Sequence, residues 1–473
     1  MKAVLAFTCT AGMVICSSAD QAADELRKEF EAYRMQSEAR IRTLENMTVS
    51  RDQDQIHQGD QPDRTTKDFE FHGYFRAGLG VNGNGDAMEA FQAPNAGSKY
   101  RLGNEAETYI EATYQQNFRT QELIENNIDI YTKLTFAYFT PTVDNNNFDT
   151  TTSLREAFAG ARGVWDTKKE ALFWAGNRFY QHLDIHITDF FFRDMAGFGG
   201  GIEDVALGDE MKWAAAWLGG SIDQLDSSGT AYTNDYHFNK NTLNLRLYDI
   251  PVGIGKLELI GDIADFSGDR LETAGADIII ESGFGWALGA ILQTPLSDKI
   301  ANRFTMQYGE GVADNFRAVI TAPQGLTLAP GDTFKTEDTR RFRMTDDVVI
   351  DHGNPVSLQC MALYENYDNG VTGPMDWISL GARPVYHFNE YWSLAFEAGA
   401  DYTNQDNGSE GVLGKFTLAP QIQPSADFFA RPSIRAFLTY ATWSDGFEGM
   451  VAPTGYSDET HGISAGVQME AWW

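Results

Sequence analysis

The chain has 473 residues, 42% of them hydrophobic, and a formal net charge of -31. That charge excludes nucleic acid as a partner, and no run of about 18 apolar residues follows the N-terminus, so no helix is built to span a bilayer. A strand barrel escapes that test because only alternate residues are apolar, and 45 Gly, 14 Pro and frequent aromatics suit many twisted strands joined by turns.

Residues 1–19 read as a secretory signal: Lys2, an apolar stretch from Ala3 to Cys16, then Ser17-Ser18-Ala19 with cleavage after Ala19. Lipidation at Cys16 is the alternative, but Ile15 is not the small residue that should precede a lipidated Cys. Only Cys360 survives in the mature chain, which therefore has no internal disulfide. Residues 20–48 are rich in Glu, Arg and Ala. Leu26, Phe30, Tyr33, Ser37, Arg40, Leu44 and Met47 keep a 4-3 spacing, with Ser37 and Arg40 poor at a seam. Two readings stand: a short periplasmic coiled coil if the protein is trimeric, or an amphipathic helix that orders only in company. Residues 49–67 are a polar linker.

From residue 68 to 473, strand signals recur. In the first, Phe69, Phe71, Gly73 and Phe75 alternate with Glu70, His72, Tyr74 and Arg76. Further strands are expected around Thr108–Thr113, Ile128–Tyr138, Leu154–Val164, Leu172–Asn177, Met211–Leu218, Thr242–Tyr248, Gly255–Ala264, Gly283–Leu292 and Asn302–Tyr308. The series continues at Arg340–Ile350, Val356–Tyr364, Trp377–Tyr386, Trp392–Tyr402, Val412–Ile422, Ser433–Trp443 and His461–Trp473. Short connections such as Asp249-Ile250-Pro251 and His387-Phe388-Asn389-Glu390 contrast with long polar ones such as Gly219–Asn241 and Glu310–Asp338. Short turns on one side and long loops on the other are the arrangement of an outer-membrane barrel. The expected fold is an all-β transmembrane barrel of about 18 antiparallel strands with a short N-terminal helical extension. Its last strand ends on Trp473 and would be the contact for the barrel-assembly machinery. Outer-membrane lipid is the expected surround.

Particular residues sharpen this. Phe71-His72-Gly73-Tyr74-Phe75-Arg76, Lys99-Tyr100-Arg101-Leu102-Gly103-Asn104-Glu105, Trp174-Ala175-Gly176-Asn177-Arg178, Arg431-Pro432-Ser433-Ile434-Arg435 and Glu470-Ala471-Trp472-Trp473 follow one another in the order of the maltoporin family. The chain resembles that family of sugar-specific outer-membrane porins over essentially all of residues 69–473. Its N-terminal extension is more similar to the sucrose-porin and aryl-β-glucoside-porin branches. The resemblance implies an 18-stranded barrel, a homotrimer and passive sugar diffusion.

A sugar has apolar C–H faces and a rim of hydroxyls, so rings stack on the first and ionic groups bond the second. By resemblance, the aromatic slide is Tyr74, Tyr109, Phe429 and Trp472, with Trp286 and Phe148 as further candidates. Parity agrees for Tyr74, Tyr109 and Trp472, which share a face with Arg76, Glu111 and Glu470; Phe429 shares parity with Arg431 and Arg435. The polar partners are Arg76, Arg101, Glu111, Arg155, Asp184 and Asp189. Residues 178–201 match the family's inward-folded constriction, where His182 replaces the family's Arg and Phe191 its Tyr. Ala90 and Ala106 stand where the family has a Cys pair, so the first loop needs other fastening. No enzyme is expected and no cofactor, although a structural Ca2+ in the acidic loops stays open. The alternatives are a general diffusion porin and, more distantly, a barrel enzyme built on His182 and His186 or a trimeric adhesin.

Overall fold

The structure, a computed structural model, describes residues 67–140, 151–220, 222–223, 240–271, 276–297, 299–321, 331–351, 355–406 and 408–473. The signal, the helical extension, most of the linker and Phe148 lie outside the described residues.

An 18-stranded antiparallel sheet closes on itself. Its first nine strands are β1 (Phe69–Asn82), β2 (Thr108–Phe118), β3 (Asp129–Thr140), β4 (Thr151–Arg162), β5 (Leu172–Arg178), β6 (Gly197–Leu207), β7 (Met211–Gly220), β8 (Lys240–Val252) and β9 (Gly255–Phe266). The second nine are β10 (Gly283–Ser297), β11 (Ile300–Glu310), β12 (Arg340–Asp351), β13 (Val356–Asp368), β14 (Pro374–His387), β15 (Trp392–Gln405), β16 (Glu410–Ile422), β17 (Ser433–Trp443) and β18 (His461–Trp472). Each pairs with its sequence neighbours, and β18 returns to β1 with Tyr74 opposite Trp472. Beyond the strand, Trp473 and Gly73 exchange backbone N–H donors at 3.1 and 3.2 Å. A side chain at Gly73 would run into the Trp473 ring, with its Cβ 2.5 Å away.

Alternation divides the wall. Leu79, Trp217, Leu288, Leu380 and Val467 point outward and are more than half exposed, whereas Thr113, Asn244, Gln359 and Glu397 point inward and are buried. In water such an apolar exterior would drive aggregation; in a bilayer it is the lipid face.

The strand reading holds for every member of the ring except β6, Gly-Phe-Gly-Gly-Gly-Ile-Glu-Asp-Val-Ala-Leu. Its glycines hide the period of two. They are also required, since a Cβ at Gly199 would stand 2.2 Å from the Trp217 carbonyl oxygen. One turn also moves: Asp249-Ile250-Pro251 lies inside β8, past an irregularity in its pairing with β9, and the turn is Gly253-Ile254.

Two long loops fold into the bore. Residues 83–107 seat Tyr100 against β14 and β15, where its hydroxyl hydrogen-bonds Ser379 at 2.9 Å. A Cβ at Gly381 would lie 2.1 Å from the Tyr100 ring, and one at Gly399 2.2 Å. Lys415 donates to the Leu102 carbonyl at 2.6 Å, and the Leu102 N–H donates to Glu397 at 3.1 Å. Packing and hydrogen bonds thus fasten this loop. Residues 179–196 form a second infolded segment, a hairpin of His182–Ile185 with Phe190–Asp194. It reaches the far wall, where Arg193 meets both oxygens of Asp262 at 2.9 and 3.0 Å and Phe190 stands edge-on to Trp377 at 5.1 Å. Beyond the ring, loops 267–282 and 311–339 share an apolar cluster with Phe266, Ile278, Phe316 and Phe334.

Filling the Tyr100 seat should therefore be costly. Gly399→Ala is expected to lower unfolding stability by about 1–3 kcal/mol through overpacking. Adding Tyr100→Ala should recover part of that loss, a non-additivity read from heat-modifiable gel migration.

Candidate functional site

On β1 the inward parity carries Tyr74 and Arg76; on β2, Tyr109 and Glu111; on β18, Gln468, Glu470 and Trp472. Because β1 sits between the other two, their rings fall in one row. Tyr109 and Tyr74 have centroids 6.1 Å apart, and Tyr74 stacks with Trp472 at 6.5 Å. Trp472 meets His186 edge-on at 6.1 Å, and His186 meets Phe429 at 5.4 Å. The row thus runs from the wall onto the infolded loop and the turn between β16 and β17.

Charge is fixed alongside. Glu470 is the hub, accepting from Arg431 at 2.7 Å, Arg101 at 3.0 Å and Arg435 at 3.3 Å. Arg101 also donates to the Tyr74 hydroxyl at 2.9 Å and to Glu105 at 3.0 Å. Arg431 lies over the Trp472 ring, 4.2 Å from its centroid. Arg76 pairs with Glu107 at 2.6 Å and Asp189 at 3.4 Å, and lies 5.4 Å from the Tyr109 centroid. Single deletions from such a buried network leave an uncompensated charge, so the rings beside it are held in place by strong partners.

Next to the row is a cavity of about 260 Å³, bordered by Tyr74, Tyr109, Glu111 and Arg76 on the wall. The infolded hairpin supplies His182, Asp184, Asp189 and Phe191. His182 is stacked between Phe179 at 4.7 Å and Phe191 at 4.0 Å, and its Nδ1 is 2.8 Å from Asp194. Arg155 completes the column, 5.1 Å from the Phe179 centroid. It reaches the interior because β4 carries an extra residue there: Glu156 pairs with Thr135 and Leu154 with Phe136, leaving Arg155 between them.

A family model described as LamB porin matches residues 69–473. The chain belongs to the LamB porin family. A maltoporin of Hahella chejuensis is 32% identical over 413 residues, covering 85% of this chain and 92% of that protein. Among solved structures, OccAB1 of Acinetobacter baumannii superposes with a TM-score of 0.48 at 11% identity, covering 86% of this chain and 97% of that one. OccD3 of Pseudomonas aeruginosa gives 0.43 at 8% identity over 86% of this chain and 91% of that one. As a LamB porin with a closed strand barrel, the protein is a bacterial outer-membrane channel.

Within this LamB porin, most of the residues singled out by sequence converge on one place, and some do not. Arg101 is 4% exposed and stands behind Tyr74 rather than on the cavity. Phe429 lies in a turn before β17 begins, so strand parity did not apply to it, yet its ring joins the row. Trp286 is a correction. It shares the parity of outward Phe284 and Leu288 and packs beside Tyr308 at 5.6 Å, on the lipid face. Sequence reading passed over Arg317, delivered to the cavity by the loop before β12. It also passed over His186 as a member of the row. Nothing in the period of strands signals either, since both sit on loops. Among the described residues, no three His, Cys, Asp or Glu side chains gather as for a metal.

Burial, then the neighbouring Asp189, pushes the Asp184 carboxyl up to about 8. Burial would raise Asp194 as well, but His182 and then Arg317 overcome it and hold that carboxyl well below its usual range. An acid raised in the fold favours the fold at low pH. The Asp184 contribution is complete below 3.8 and is lost as pH rises to about 8. Deprotonation there adds one negative charge beside the bore. Cation selectivity, read as the reversal potential in a salt gradient, should rise as pH passes about 8, and Asp184→Asn should flatten that rise.

Proposed function

We propose that the protein is a sugar-selective porin, carrying carbohydrates across the outer membrane by passive diffusion along the Tyr109–Tyr74–Trp472 row. The observation that carries this reading is the row itself: three inward rings on adjacent strands, with the guanidinium of Arg76 over Tyr109 and that of Arg431 over Trp472. Against a sugar, each ring takes one apolar face while the paired Arg76 and Asp189 at the cavity take hydroxyls. Successive weak sites let the sugar step onward, whereas one tight site would trap it. No bond is made or broken and no energy is supplied.

Assembly belongs to the same proposal. The outward positions Ala157, Ala159 and Ala161 of β4 and Ala175 of β5, with Ala159 paired to Ala175, leave a strip with little side chain. A second barrel can approach closely there, which supports a homotrimer. Insertion by the barrel-assembly machinery through β18 fits its outward, aromatic-ended face.

The test is sugar block of ion current in a planar bilayer. Wild-type protein should show saturable block by a di- or trisaccharide. Tyr109→Ala and Trp472→Ala should each weaken half-block by about tenfold, the loss of roughly 1.4 kcal/mol of stacking, with little loss of open-channel current. Current that no sugar reduces would instead favour a general diffusion porin.

A further inference from the structure

The charges around the cavity are unequally available. Its carboxylates are turned away or occupied: Glu111 is 2% exposed, Asp184 1%, and Glu111 accepts the Tyr109 hydroxyl. Asp194 is 16% exposed and takes His182 at 2.8 Å. Asp189, at 31%, faces Arg76 at 3.4 Å.

Two of its three guanidinium groups differ, Arg76 being paired with Glu107 and Asp189. Arg155 is exposed and rests on the Phe179 ring. Among the described residues, no carboxylate comes within 4 Å of it, the limit for an ion pair. Arg317 is 34% exposed and has one longer pairing, to Asp194 at 3.6 Å. Its position is not incidental. The Asp194 N–H donates to the Phe316 carbonyl at 3.1 Å, the Ala318 N–H donates to the Asp194 carbonyl at 3.2 Å, and Lys240 donates to the Arg317 carbonyl at 2.7 Å. Three hydrogen bonds between loops and wall thus fix the backbone that presents Arg317.

Arg155 arrives through a bulge and Arg317 through a stitched loop, and both face the cavity that borders Tyr74 and Tyr109. We infer that this cavity is an anion-recognising subsite, and that the sugars this porin favours carry a carboxylate. The inference rests on the sugar-porin reading and deepens it. A planar carboxylate matches the guanidinium fork, and a hydrogen bond between ionised partners is about twice as strong as one to a hydroxyl. The net charge of -31 does not oppose this locally. At physiological salt, solvent-exposed charges more than about 8 Å away are largely screened, while those in a partly enclosed cavity are not.

The test uses the full chain in planar bilayers, with cellobiose and the same disaccharide oxidised at one C6 to the uronate. The uronate should half-block the current at about tenfold lower concentration than cellobiose, one charge-assisted hydrogen bond's worth. Arg155→Gln and Arg317→Gln should each reduce that ratio, and the double variant should abolish it while cellobiose block persists. Arg155→Gln removes no ion pair and carries the test even where Arg317→Gln disturbs Asp194. Block by cellobiose with no preference for the uronate would overturn the inference and leave the sugar porin standing, as would a preference that survives in the double variant. Block by neither sugar would remove the underlying reading and this inference with it.

Discussion

A strand in hydrocarbon has no water to satisfy its backbone, so its N–H and C=O groups must all be met by neighbouring strands. The rest of this molecule follows from that requirement. The ring has to close, and it closes where β18 meets β1, with Tyr74 opposite Trp472. Closure fixes the register, and register fixes which side of every strand meets lipid. Tyr74, Tyr109 and Trp472 therefore share an interior face as a consequence of pairing, before any question of what they bind.

The interior then faces a problem of its own. Arginines and carboxylates inside a narrow bore cannot each keep a full hydration shell, so they are paired with one another and with loop backbone. Glu470 shows this most plainly, holding three guanidinium groups from the first loop, the β16–β17 turn and β17. The same contacts that satisfy these charges hold the aromatic rings in their row. Structural and functional demands are met by one network, which is why side chains buried in the wall remain relevant to a solute that never touches them.

How much of this was legible in the sequence depends on how each residue is held. Where a side chain rides on a regular strand, period-two alternation reports its face, and Tyr74, Glu111 and Trp472 were readable for that reason. β6 was not, because Gly199, Gly200 and Gly201 carry no side chain to alternate. Trp286 was assigned by resemblance, against the parity it shares with Phe284 and Leu288, and parity prevailed. Arg155 turns inward through one extra residue in β4, and a bulge leaves no mark in composition. Arg317 and His186 owe their places to loop-to-wall contacts far apart in sequence, which no local pattern encodes.

The seat for Tyr100 has a meaning beyond stability. At Gly381 and Gly399 the wall is bare backbone on its inner side, and an aromatic ring from the first loop occupies the space. The ring of strands and the calibre of the passage are thus set by different parts of the chain. Strand number and register determine the cylinder, while the infolded loops act as a removable liner bearing against it. Such a cylinder can be rebored by altering the liner alone. Relatives with an unchanged wall can then admit solutes of quite different girth and charge, and insertions or deletions in the loops become the natural route by which one barrel acquires another's cargo.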